Sequence, residues 1–252
     1  MKAVALRVEV VVNLYMKKDY ILIAFFIFTW HFNFAQSLNS VGVFPTIDHS
    51  GTLSRKFEYS LYYFGAFPLT YIEKVKSSNK ANFLLAYAEQ AVTYNINKRL
   101  SFTGSYVFQR ANVLKNNYSN ENRIYVQATY KHALKNINIK HRLRFDNRFI
   151  HDNITGKNPY THRLRYLIGA DFSLKNKNYI TTYEELFFNT NQAQILSPFA
   201  ENWAYAAFGK QLNKKNKIEL GLLYITWRTG AVNWYNQYYL QLTWINHLNF
   251  NK

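Results

Sequence analysis

The chain has 252 residues, with 31 Lys and Arg against 14 Asp and Glu, for a formal net charge of +17. It has no cysteine, which excludes disulfide staples, thiolate metal sites and cysteine nucleophiles. Phe, Tyr and Trp make up 18% of it and proline only four residues, a mix that favours strands. The basic residues alternate along those stretches or sit in short turns instead of forming a patch, which argues against a nucleic-acid partner.

In chain order, residues 1–15 precede Met16 and include Glu9, which reads as an over-extended start with Met16 the true initiator. Residues 16–35 read as a signal peptide, with Lys17 and Lys18, the apolar run YILIAFFIFTW and a small-residue cleavage site after Ala35. That run is too short for a membrane-spanning helix, which needs about 20 apolar residues. Residues 36–54 are expected to form a periplasmic N-terminal segment, and residues 55–252 the folded domain.

Ten strands are expected in that domain, at 55–67, 81–96, 100–111, 121–132, 137–150, 160–174, 179–189, 199–212, 217–228 and 234–250. Their connections alternate between long (68–80, 112–120, 151–159, 190–198) and short, which describes an up-and-down barrel with both termini at the tight-turn end. The stretch NIKHRLRFDNRF shows the pattern within a strand. Leu143, Phe145 and Phe149 fall on one parity, and Lys140, Arg142, Arg144, Asp146 and Arg148 on the other.

A soluble barrel would be apolar inside, but the apolar parity here carries several large residues in every strand, more bulk than a narrow interior holds. The expected fold is therefore an all-β, transmembrane, antiparallel barrel of about ten strands in the outer membrane, with the charged parity lining the lumen. A soluble periplasmic barrel is the alternative. Tyr62, Tyr63, Trp203, Trp227, Trp234, Tyr235 and Trp244 are expected in the interfacial girdles.

The stretches NENRIYVQATYKHAL, NIKHRLRFDNRF, THRLRYLIGADF, YITTYEELFFN and ENWAYAAFGKQLN, followed by IELGLLYITW and LTWINHLNF, carry a resemblance. They are similar to a Gram-negative outer-membrane barrel family known only as domain-of-unknown-function family 2490. The resemblance runs from about Val41 to the C-terminus and implies location and fold, with no established activity. Trp203 departs from the family pattern, which leads one to expect Arg after Asn202.

The candidate site is a lumen charge network of Arg142, Arg144, Asp146, Arg148, Arg163, Arg165 and Glu185, with Asp146 placed opposite Arg165 as a cross-strand pair. Two uses are open: a basic wall guiding small anionic solutes through a narrow pore, and a structural charge ladder filling a narrow barrel. Glu184 is expected near the rim. Seven histidines show no metal-ligand spacing, and His141 and His162 fall on the apolar parity. No catalytic residue and no cofactor is nominated, although His151 and Asp152 at a loop mouth keep a lipid-modifying enzyme open. A surface-binding protein is the third class. Expected partners are outer-membrane lipids, lipopolysaccharide facing Lys74, Lys76, Lys80, Lys115 and Lys157, the barrel-assembly machinery and small anions.

Overall fold

A computed structural model describes residues 37–73, 76–79, 81–191, 198–228 and 233–250. The expected extension and signal peptide, residues 1–35, lie outside them. Every regular element among the described residues is a strand: β1 (Ser37–Thr52), β2 (Phe57–Glu73), β3 (Lys76–Asn79), β4 (Leu85–Asn95), β5 (Leu100–Ala111), β6 (Ser119–Leu134), β7 (Ile137–Asp152), β8 (Tyr160–Ser173), β9 (Asn178–Asn189), β10 (Phe199–Gln211), β11 (Asn216–Arg228) and β12 (Trp234–Asn249). β3 is a short flap hydrogen-bonded to the end of β2; the other eleven strands close on themselves. The ten strands read from the alternation are all present, and those of 12 or so residues, tilted near 40°, rise roughly 30 Å.

The strand the sequence reading missed is β1. Residues 37–52, expected outside the barrel, pair with β2 on one side and β12 on the other. Ten antiparallel steps among eleven strands leave the first and last pointing the same way, so closure is parallel, from Ser37 beside Trp234 to Thr52 beside Asn249. β1 therefore starts at the long-connection end, not at the tight-turn end as expected.

Gly42, Pro45 and Gly51 hide this strand from a propensity reading, and the packing explains two of them. No β1–β2 bridge forms at Phe44 or Pro45, so the missing proline N–H leaves no gap in that ladder. Gly42 sits at a bulge opposite Pro68, where an added Cβ would lie 2.2 Å from the Phe67 carbonyl oxygen. Side chains stitch the seam. Tyr235 donates its hydroxyl to Ser40 Oγ at 3.0 Å, Ser50 Oγ lies 2.9 Å from His247 Nδ1, and His49 bridges Asn246 and Tyr59 at 2.8 Å each.

The pleat then sorts the faces. Outside stand Val43, Ile47, Val92, Phe102, Ile124, Val126, Leu143, Phe145, Ile168, Leu220, Leu222, Leu240 and Leu242, all exposed. This is the inverse of a soluble barrel, since keeping apolar surface in water costs about 25 cal/mol per Å².

Of the expected girdle residues, Tyr63 and Trp244 are exposed on the outer face. Tyr62, Trp203 and Trp227 line the interior instead, and Tyr235 is buried there. The interior takes more bulk than the sequence reading allowed, because rings such as Phe44, Phe64, Tyr87 and Trp203 pack into it beside the charged residues.

Three of the tight turns share one construction. Ser54, Asn97 and Asn213 each accept two backbone N–H groups from residues two and three positions on. That closes the turn with a side chain and leaves the following positions open to any residue. In the β6–β7 and β8–β9 turns, Lys135, Asn176 and Lys177 take left-handed backbone angles, with φ of 53°, 58° and 61°.

Candidate lumen site

Every residue of the expected network faces the interior, and the structure brings them together. Successive inward positions on β7 present Lys140, Arg142, Arg144, Asp146 and Arg148, and those on β8 present Arg163 and Arg165. The register differs from expectation: Arg144 lies opposite Arg165, and Asp146 opposite Arg163. The cause is the β7–β8 loop, where Asp152 Oδ1 accepts the Ile154 and Thr155 N–H groups and Gly156 takes φ +63°, setting the hairpin centre one step earlier.

Asp146, fully buried, accepts a hydrogen bond from Arg144 Nε at 2.9 Å. Its other oxygen has no hydrogen-bond partner but lies 3.6 Å from Arg123 Nη1 and 3.7 Å from Arg165 Nη1. One carboxylate thus holds three guanidinium groups. Glu185 does the same for two, accepting from Arg165 Nη2 and Arg142 Nη2, both at 2.7 Å. Glu184, its neighbour, points the other way and accepts from Asn202 Nδ2 at 2.9 Å.

The sequence reading missed the carboxylates that other strands send in. Glu89 on β4 accepts from Arg144 at 3.0 Å and from the Tyr87 hydroxyl on one oxygen, and from the Tyr125 hydroxyl at 2.6 Å on the other. Glu121 on β6 grips Arg148 with two bonds of 2.7 Å and also takes Arg123. Glu201 on β10 meets Arg163 at 3.1 Å. The signal was present in the alternation of β6, where Glu121, Arg123 and Tyr125 share one parity against Asn122, Ile124 and Val126. Trp203 also finds a role: its indole N–H donates to Glu201 Oε1 at 2.6 Å. The departure from the family pattern thus leaves position 203 still bonded into the network.

All six arginines, Arg123, Arg142, Arg144, Arg148, Arg163 and Arg165, therefore have a carboxylate within ion-pair distance. Rings support them from behind, with Arg144 3.3 Å over Tyr125 and Arg165 4.3 Å over Phe187. Across the lumen stands the aromatic wall. Phe44, Phe64 and Tyr87 stack in series at 4.6 and 4.4 Å, with Trp203 edge-on to both phenylalanines at 6.0 Å.

Wall and ladder line a cavity of about 600 Å³ and meet where Arg144 Nη2 donates to the Tyr87 hydroxyl at 3.3 Å. Its lining includes Asp48, Lys140, Lys217 and Glu219 towards the tight-turn end, and Glu201, Trp227 and Gln237 towards the other. At the former end Glu219 accepts from the hydroxyls of Tyr179 and Tyr205, at 2.8 and 3.1 Å.

His141 and His162 lie off this network, the first against Tyr166 and the second against Asn147. His151 and Asp152 belong to the loop hairpin: His151 bonds Asn158, and Asp152 caps the turn. Among the described residues no group of three or more His, Asp or Glu is arranged to hold a metal ion. Lys74 and Lys80, and the side chain of Lys76, lie outside the described residues.

A family model described as "Protein of unknown function (DUF2490)" matches residues 53–236. No curated protein matches this chain. Among solved structures, an anion-selective porin from Comamonas acidovorans is similar at 12% identity and a TM-score of 0.35, covering 75% of this chain. This chain spans about half of that porin, 52% of its length. A NanC porin is similar at 10% identity and a TM-score of 0.40, over 75% of this chain and 90% of its own.

Proposed function

This chain belongs to the DUF2490 family, whose description carries no activity, and from its own geometry we propose that it is an outer-membrane barrel giving small polar solutes a narrow, charge-compensated passage. The apolar outer face supports the membrane location, because only a closed barrel satisfies strand hydrogen bonds in hydrocarbon. The observation that carries the passage is the interior cavity, lined by residues from both ends of the barrel. Eleven strands lie between small barrels filled by side chains and the 16–18-stranded porins with wide aqueous channels, so a constricted lumen is what the size dictates.

The paired arginines bear on selectivity. The basic wall read from β7 and β8 alone would attract anions strongly, but Glu89, Glu121 and Glu201 neutralise most of it. The passage should therefore prefer anions only weakly. A row of fixed charges opposite an aromatic wall suits solutes with both a polar edge and an apolar face.

Planar-bilayer recording of the purified protein tests this. Small steps with a weak anion preference are expected, and Arg142→Ala/Arg165→Ala should widen the steps and abolish that preference. A silent bilayer rejects the passage and leaves the ladder as a structural plug.

A further inference from the structure

We propose that the tight-turn rim is a binding surface for anionic phospholipid headgroups; this rests on the membrane reading above. The five tight turns are LSRK (53–56), INKR (96–99), KN (135–136), LKNK (174–177) and LNKK (212–215). Together they hold nine cations, Arg55, Lys56, Lys98, Arg99, Lys135, Lys175, Lys177, Lys214 and Lys215, and no carboxylate.

Two features show that the cations are not filler. At Lys135 and Lys177 the backbone is left-handed, a conformation that glycine or asparagine adopts more readily than lysine. Lysine stands there against turn preference. Elsewhere Ser54, Asn97 and Asn213 close the turn, so the cations that follow are free of any turn-forming task.

The second observation is independent of charge. Each turn is led by an aliphatic side chain that is exposed: Leu53, Ile96, Leu134, Leu174 and Leu212. Five exposed aliphatics in a ring, each followed within one to three residues by cations, match a lipid boundary, where acyl chains meet the first group and phosphates the second. An acidic protein partner would call for the cations but not for a ring of aliphatics on every turn.

One position on the rim is more developed. A groove of about 350 Å³ opens on the outer face above Lys56, between Tyr94, Phe102 and Val126. Its floor is Gly104, where an added Cβ would meet nothing within 4 Å. The Lys56 ammonium lies 3.4 Å from the Tyr94 hydroxyl, at the groove's edge. An acyl chain laid over Gly104 would put its phosphate at Lys56 and at the neighbouring Lys98–Arg99 turn.

The test uses the full chain inserted into vesicles of phosphatidylcholine and phosphatidylglycerol, followed by native mass spectrometry of the lipid retained. The wild type should retain phosphatidylglycerol preferentially. K56Q/K98Q/R99Q should reduce that retention at least tenfold, given roughly fivefold per cation near a membrane surface. Gly104→Leu, which fills the groove without touching charge, should reduce it several-fold, and neutralising Lys115 and Lys157 in the long loops should leave it unchanged. Insertion with no headgroup preference, or a preference that survives the triple variant, overturns this proposal alone. Failure to insert into either lipid overturns the membrane reading on which it rests.

Discussion

At the scale of single residues, Asp146 is the position on which the ladder depends. It is fully buried and its neighbours are Arg123, Arg144 and Arg165. Asp146→Asn would leave three guanidinium groups facing one another without the shared anion. Removing one partner of a buried ion pair typically costs about 3–5 kcal/mol. A loss of that size is expected in urea unfolding of the detergent-folded protein. Asp146→Asn/Arg144→Met, which removes one of the stranded charges as well, should recover part of it. An Asp146→Asn variant as stable as the wild type would mean that Glu89, Glu121 and Glu185 suffice for the arginines by themselves. The parity of these residues was legible in NIKHRLRFDNRF because a strand turns its side chains alternately to two faces. Their partners were not, since Glu89 and Glu201 reach Arg144 and Arg163 from strands distant in the chain.

At the scale of elements, the parallel closure distinguishes this barrel from the ten-stranded one expected. Its consequence is direct: Thr46 on β1 lies beside Thr243 on β12. The chain has no native cysteine, so Thr46→Cys/Thr243→Cys should form a single disulfide under mild oxidation, visible as a mobility shift that reductant reverses. If β1 stood outside the wall, no such link would form. The register of β7 on β8 shows a related limit of local reading. Counting outward from an assumed loop centre placed Asp146 opposite Arg165, whereas with the Asp152 cap and Gly156 in the loop the pairing lies two residues away, Arg144 opposite Arg165. In a hairpin with a long loop, the loop's own hydrogen bonds decide the register, and they depend on backbone angles that composition does not specify.

At the scale of the whole molecule, the lumen is a balance of charge. With Glu121 and Glu201 neutral, Arg148 and Arg163 would face the lumen without their ion-pair partners. Glu121→Gln/Glu201→Gln should therefore raise the anion-to-cation permeability ratio several-fold over wild type in reversal-potential measurements, and the gain should shrink at high salt as screening sets in. A ratio unmoved by the double substitution would show that the conducting route avoids this end of the ladder.

What the amino-acid order determined by itself was the class of the molecule: strands with two unlike faces, tight and long connections in alternation, and the side on which the arginines stand. Period-two alternation and turn chemistry are local, so they survive in a single sequence. Tertiary structure alone decided that Ser37–Thr52 completes the wall, that carboxylates from β4, β6 and β10 compensate the arginines, and that Phe44, Phe64, Tyr87 and Trp203 turn inward as a wall of their own. The reason is curvature. Closing a tilted sheet into a tube brings together side chains far apart along the chain, and which ones meet depends on strand number and stagger, which no single segment encodes.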